Sequence, residues 1–439
     1  MAKVFNAFRH SYSIFSIPKT LYSEMVRSKS IAIIGSGAAG MASALFLHDQ
    51  GHNVILFEKV ENPGPVGAGV LIQPAGMFAL DQLGVLDKFI DSGEVINRLY
   101  GENQNGKKVL NLVYDDFQKG SYGLGIHRGN IFNILLEKVI EKGIDFKSGY
   151  PIDSLKRLPG KKVELFKGNE SVGIYDAMIL SSGRKAGLRT QFNVRQKVHD
   201  YKWGALWTIV EDEERVFKNE LRQVYKTTKN IAGMLPIGKH PESGNNSVSL
   251  FWSLRKSKVE SWGGQQLDHW KNEVLNLYPE LSPLLDKIKT REQILFASYS
   301  HITMKKWHDE NLLCIGDAAH AMSPQLGQGV SLGVYDAWSL TQCFNECESI
   351  EQAFHEYSRR RKSHIRWMQF VSKLVTPMFQ SSGSDWAPYR DATFDIIHNF
   401  GFTYRIMLGT LSGVQRGVIR KAETHLTDFL KRMPRTHKH

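Results

Sequence analysis

The stretch "IAIIGSGAAGMASALFLHDQGHNVILFEK", residues 31–59, constrains this chain more than any other. Ile31–Ile34 is a short unbroken apolar run, as expected of a parallel strand buried on both faces. Gly35, Gly37 and Gly40 then complete G-x-G-x-x-G: the first permits a tight turn, the second lets backbone approach a pyrophosphate, and the third lets a helix pack close to the strand. That helix opens on Ala38 and Ala39 and runs to His48. Gly51 ends it, and Asn53–Phe57 forms a second strand. Unpaired N–H groups and a positive dipole end at the helix start suit phosphate. Glu58, eighteen residues after Gly40, stands where a carboxylate binds both hydroxyls of an adenosine ribose and repels a 2′-phosphate. The segment is read as a βαβ unit for a dinucleotide.

A second glycine turn, "LLCIGDAAHAMSPQLGQGVSLGVYDAW", begins nearly three hundred residues later at Leu312. Leu312–Ile315 reads as another strand, and Asp317 puts a carboxylate at its carboxyl end, where α/β sheets bind ligands. Gly327 and Gly329 bracket backbone free of side chains, and Val330–Thr341 reads as a helix whose N-terminus suits an electron-rich, partly anionic ring. NAD needs only the first turn. FAD, with a polyol linker and a flavin at its far end, uses both.

At these residues the chain resembles the FAD-dependent aromatic hydroxylases, flavoprotein monooxygenases of the 4-hydroxybenzoate, salicylate and ubiquinone-biosynthesis type. The resemblance spans roughly Ile31 to Glu356. It rests on the first glycine turn with Glu58, on "GAGVLIQPAGMFALDQLGVLDKF" from Gly67, on "IHRGNIFNILLE" with Arg128, and on "GDAAHAMSPQLGQGVSLGVYDA". It implies that Asp317 binds the ribitol, that Arg128 reaches the pyrophosphate side, and that Pro324 to Gly329 lie against the isoalloxazine, next to Val330. It also implies a monooxygenase that hydroxylates an aromatic or flat apolar molecule with NAD(P)H and dioxygen through a flavin hydroperoxide. A halogenase or reductase on the same fold, or an FAD-binding protein without turnover, are the alternatives. The chain departs from the family twice. In "DAMILSSGRKAGLR", Asp176, Gly183 and Arg189 match, but Ser182 stands at the place of an Asp tied to FAD and NAD(P)H; Ser331 replaces an Asn after Gly-Gln-Gly.

With 439 residues, 42% hydrophobic and 23% charged, the chain is an ordinary globular one with room for about two domains. Tyr201 to Arg255 changes texture into short β-rich runs separated by turns, read as an antiparallel sheet inserted into the nucleotide domain. Its aromatics Trp203, Trp207, Tyr225, Phe251 and Trp252 are candidates for the wall of an apolar substrate pocket. The expected architecture is α/β: a doubly wound, Rossmann-like FAD-binding domain from residues 30–188 and 291–370, a substrate-binding sheet domain at 189–290, an N-terminal extension at 1–29 and a C-terminal helical region at 371–439. Reduced flavin itself activates dioxygen, so no catalytic side chain is singled out. His320 is read as a structural hydrogen-bonding residue rather than a base, and His301 and His308 as unrelated to metal.

Cys314, Cys343 and Cys347 make neither a disulfide framework nor a C-x-x-C metal site, which favours a reducing, cytoplasmic setting. No window approaches the roughly 18–20 apolar residues of a spanning helix. The first thirty residues lack the apolar core of a secretory signal, and Met25 stands where a compact version would start. Net charge is +12, and from Glu351 onward fifteen Lys/Arg face seven Asp/Glu. Nucleic acid is not the expected partner. Arg359–Lys362 is read as a solvated face. The tail from Val371 reads as a helical layer packed on the core, with a pocket lid or peripheral contact with anionic lipid as its other readings.

Overall fold

In the computed structural model, residues 28–64, 67–381, 386–420 and 422–434 are described. Most of the expected N-terminal extension, including Met25, lies outside them. The strands Ser30–Ile34 and Asn53–Phe57 and the helix Ala38–Asp49 form where the first glycine turn predicts. They belong to a six-stranded sheet in the order His308–Asp309, Leu312–Cys314, Ala177–Leu180, Ser30–Ile34, Asn53–Phe57, Asp145–Lys147. All neighbours are parallel except the first pair. Ile31, Ala32 and Ile33 are wholly buried, which is why this strand carries no polar side chain between Ser30 and the turn.

One face of this sheet is covered by helix Ala38–Asp49, which packs against Arg128–Glu141 and Gly329–Glu346. A three-stranded antiparallel meander, Ser154–Leu158, Lys162–Lys167 and Glu170–Tyr175, touches the central strands as well. The strand leading to the first turn and the strand leading to the second are separated by Ala177–Leu180 alone, with Ile31 opposite Ala177 and Met178 opposite Leu312. Both turns therefore emerge at the same edge of one sheet.

The second large sheet has seven strands, in the order Leu295–Met304, Gln196–Glu211, Asn246–Arg255, Ile231–Lys239, Glu220–Tyr225, Arg98–Asn103, Lys108–Val113. Here the expectation of an antiparallel sheet confined to 189–290 is corrected. Three strands come from outside that interval, and Glu220–Tyr225 runs parallel to Arg98–Asn103. A parallel neighbour needs a long crossover, so nothing local in "RLYGEN" announces its distant partner. Side chains alternate: Leu206, Val210, Met234, Leu250 and Trp252 enter a second core with Trp270 and Val274 of helix Leu267–Leu277, while the opposite face looks toward the nucleotide domain. A long helix, Ile350–Phe379, runs through the expected boundary at residue 370, and Ala387–Asn399, Gly401–Leu411 and Thr424–Lys431 complete the C-terminal layer. Among the described residues no helix is long and apolar enough to cross a membrane.

Helix-to-strand contact at the first turn is tight enough to test. A Cβ on Gly40 would lie 2.0 Å from the Gly35 carbonyl oxygen and 2.5 Å from Ser181 Oγ, whereas a Cβ on Gly37 meets nothing within 4 Å. Gly40→Ala is expected to cost about 1–3 kcal/mol of unfolding free energy in urea titrations, as overpacking does, and Gly37→Ala close to none. Equal stabilities for the two variants would contradict this packing.

Candidate active site

Gly35 is held at φ +108°, a conformation glycine tolerates, and a Cβ there would sit 2.6 Å from Ser182 Cα. Helix Ala38–Asp49 starts at Gly37 without a side-chain cap on its first N–H groups, and a Cβ on Gly37 would meet nothing within 4 Å. Glu58 is fixed rather than free. Its Oε2 accepts hydrogen bonds from Ser36 N at 3.0 Å and Ser36 Oγ at 2.8 Å, and its Oε1 accepts from Val60 N at 3.0 Å.

At the second turn Gly316 takes φ +57° and Gly327 φ +60°. The two turns meet at one methyl group: Cβ atoms built on Gly316 and Gly333 would approach Ala39 Cβ to 3.2 and 3.1 Å. Asp317 is exposed at the start of the short helix Asp317–His320, and helix Gly329–Glu346 begins without a side-chain cap. Arg128, the exposed first residue of its helix, lies across the chain at Gly67. A single cleft of about 1370 Å³ takes in Gly35, Gly37, Ala38, Ala39, Glu58, Arg128, Asp317, Pro324, Gly327, Gly329 and Val330. Gly40 does not line it and acts through packing.

Behind the second turn lies a buried ionic cluster that local sequence reading missed. Asp336 Oδ2 accepts from Gly316 N at 3.0 Å and lies 2.6 Å from His320 Nε2, while Oδ1 accepts from Arg361 Nε at 2.8 Å. Burial alone would raise the Asp336 carboxyl, but His320 and Arg361 outweigh it and hold it well below the usual range. His320 thus has the structural role expected of it. Arg361 corrects the reading of Arg359–Lys362 as a solvated face: Arg359 and Arg360 pair with Glu356, but Arg361 is 2% exposed and stacks over Tyr335 at 4.4 Å. Its signal was present, since Phe354, Tyr357, Arg361, Ile365 and Met368 share one helical stripe.

The two departures from the family differ in placement. Ser182 lines the cleft against Gly35. Ser331 is buried, and its Oγ accepts from Gln73 N at 2.9 Å, tying the second turn to helix Pro74–Gln82. Arg189 is buried too and donates to the Ala318 carbonyl at 3.0 Å. His308 is paired with Ser358 through Nδ1 at 2.8 Å.

The cleft continues over the seven-stranded sheet. Leu295, Trp207, Phe251, Gly233, Gln223, Gly101 and Leu110 stand opposite one another in register across all seven strands. A Cβ on Gly233 would come 1.9 Å from Phe251 Cζ, so the Phe251 ring lies over that glycine, and Trp207 packs beside it at 5.0 Å. Of the five candidate aromatics, Trp207 and Phe251 line the cleft. Trp252 points into the second core, Tyr225 is wholly buried under Arg390, and Trp203 is buried outside the lining. Tyr299, Phe379, Phe394 and Met407 line it without having been foreseen.

The sequence model of the family described as "FAD binding domain" matches residues 28–369. The chain is 24% identical to a 3-hydroxybenzoate 6-hydroxylase of Klebsiella oxytoca over 82% of its length and 91% of that protein. It is 23% identical to a 6-hydroxynicotinate 3-monooxygenase of Pseudomonas fluorescens, over 82% of its length and 95% of that protein. Its fold matches the crystal structure of Klebsiella pneumoniae HpxO complexed with FAD and uric acid with a TM-score of 0.74 at 16% identity, covering 88% of this chain and 97% of that one.

The ionic cluster predicts two stability effects. Asp336→Asn leaves Arg361 buried without its counter-charge and is expected to lower the unfolding free energy by about 3–5 kcal/mol; a loss below about 1 kcal/mol would show that the cluster is not structural. Acid should also destabilise the parent protein in two stages. His127 and His308 are pushed down to about 4, chiefly by burial, so the unfolded chain takes up protons first as pH falls below about 6.5. Asp336 and Glu423, the latter lowered to about 2 by His425, Tyr335 and Arg416 against its burial, add a further loss below about pH 4. Urea titrations that gave equal stability at pH 7 and pH 5 would refute the first stage.

Proposed function

The chain belongs to the FAD binding domain family, that of the FAD-dependent aromatic hydroxylases, and on that premise we propose that it inserts one atom of dioxygen into a flat, small substrate at the expense of NAD(P)H. The observation that carries this reading is the convergence of two uncapped helix starts and two glycine turns on one cleft, joined at Ala39 and continued by an aromatic floor. The cradle fits FAD. Gly37 leaves open space at an uncapped helix start, and Gly316, Gly327 and Gly329 bring bare backbone to the cleft at the second turn. When bound, FAD supplies the electron store and the site of oxygen activation.

The rest of the work falls to the chain. Gly35, Gly37, Ala38 and Ala39 present N–H groups and a helix dipole to the pyrophosphate, with Arg128 on its flank. Glu58 would accept from the ribose hydroxyls while Ser36 and Val60 hold its orientation. Asp317 would accept from the ribitol, and Asp336 braces the turn that carries it through Gly316 N. Pro324, Gly327, Gly329 and Val330 would take the flavin, and the neutral side chains of the seven-stranded sheet would limit water at that end of the cleft. The protein acts in the cytoplasm. Its C-terminal layer is proposed as a peripheral lipid-contacting face, because Phe370, Leu374, Phe400 and Phe402 are exposed beside Arg366, Lys373 and Arg405. Cosedimentation with phosphatidylserine vesicles should fall severalfold in a Phe370→Glu/Phe402→Glu variant, and equal recovery of parent and variant counts against that face.

The two ends of the cofactor can be separated by measurement. Losing charge-assisted hydrogen bonds costs on the order of 1.5–3 kcal/mol each, so Asp317→Ala should weaken FAD binding roughly ten- to a hundredfold and leave ADP binding alone. Glu58→Ala should weaken both ligands. Calorimetric dissociation constants for FAD and ADP check this, and parental FAD affinity in Asp317→Ala would remove Asp317 from the site.

A further inference from the structure

Charge is distributed along the cleft in an unusual way. Among the described residues, every Asp, Glu, Lys and Arg that lines it belongs to the nucleotide-binding half, at positions 58–59, 128, 153, 184–185 and 317. The part walled by the seven-stranded sheet and the C-terminal helices is lined by neutral residues alone. Arg184, from the loop facing the sheet, donates to Ser298 Oγ at 2.7 Å and Ser300 Oγ at 3.1 Å on the edge strand Leu295–Met304, at the opposite side of the sheet from Arg98–Asn103 and Lys108–Val113. Arg390, behind Tyr225, is paired with Asp391 at 2.8 Å and does not line the cleft. A carboxylate placed beside the outer strands Arg98–Asn103 and Lys108–Val113 would be desolvated without a cation, which is strongly unfavourable.

This neutral part is also long. Beyond the Trp207–Phe251 floor the cleft passes the neutral amide of Gln223, while the Tyr225 ring covers Gly101, where a Cβ would meet it at 2.6 Å. The adjoining row Leu221, Leu99, Leu112 runs in register along the outer strands. Phe379 stands 5.5 Å from Phe394, and with Met407 these two close the groove from the helical layer. The result is an apolar arm leading away from the floor.

We propose that the substrate is a neutral ring carrying an aliphatic chain, with the ring on the Trp207–Phe251 floor and the chain in the arm between Leu99, Leu112, Phe394 and Met407. This rests on the reading of the cleft as an FAD-dependent oxygenase site, and it excludes small aromatic acids as the preferred substrates. Burying a methylene in such an arm tightens binding about fourfold.

The test is equilibrium dialysis of phenol, 4-methylphenol, 4-butylphenol, 4-heptylphenol and 4-hydroxybenzoate against the full chain, with and without saturating FAD. Affinity should rise about three- to fourfold per methylene through the butyl and heptyl members, and 4-hydroxybenzoate should bind at least tenfold more weakly than 4-methylphenol. Met407→Lys, which puts an ammonium at the half-buried wall of the arm, should flatten the chain-length series while FAD affinity stays parental. A flat series in the parent, or preference for 4-hydroxybenzoate, overturns the proposal, and an unchanged slope in a folded Met407→Lys variant overturns the placement of the chain. Absence of FAD binding would defeat the oxygenase reading separately, because dialysis reports occupancy of the arm with or without flavin.

Discussion

A carboxylate with no access to solvent sits at the junction of this molecule. Asp336 receives Gly316 N, His320 and Arg361 on its two oxygens. Those partners come from the second glycine turn, the short helix after it and the long C-terminal helix. Removing water from a carboxylate and a guanidinium is costly, and the arrangement is tolerable because each is held by the other at hydrogen-bond distance. The direction of the Asp317 turn is therefore coupled to a helix that contributes no ligand contact through Arg361. The same helix carries Val375 and Phe379 into the cleft wall, so the second glycine turn and the sheet side of the cleft share one element.

Division of labour along the cleft follows from the two sheets that form it. Parallel strands end in turns whose backbone and acidic side chains address a polar, anionic ligand. The mixed sheet offers alternate side chains, one set for its own core and one for the cleft, and glycines at 101 and 233 let aromatic rings lie flat against it. A wall of neutral, largely apolar side chains lowers the local dielectric on that side of the cleft. Charge is kept where phosphates and sugar hydroxyls can answer it.

Much of the cofactor half was legible because its determinants are local. Gly35, Gly37, Gly40 and Glu58 lie within one strand-turn-helix-strand unit, and the strand at Asn53–Phe57 begins and ends where the apolar pattern places it. The sheet half was only partly legible. Its β texture is visible between Tyr201 and Arg255, yet strands Arg98–Asn103 and Lys108–Val113 join it from a segment whose neighbours are nucleotide-domain elements. Trp207 and Trp252 have the same composition and lie on adjacent strands, but the pleat sends one to the cleft and the other to the core. Arg361 sits in a run of four basic residues, and the apolar stripe that includes it is what separates it from Arg359 and Arg360.

By itself the sequence determined that this chain builds two glycine turns at the ends of parallel strands, with carboxylates at 58 and 317, because strand burial, left-handed φ and helix starts are decided within a few residues. Only the tertiary structure decided that those turns touch at Ala39, that Asp336 and Arg361 brace the second one, and that the cleft over the outer strands is lined by neutral residues. These depend on strand order, register and the docking of the C-terminal helices. Such contacts join residues far apart in the chain, and their free energy comes from packing and paired charge in a shared interior that no local window of sequence contains.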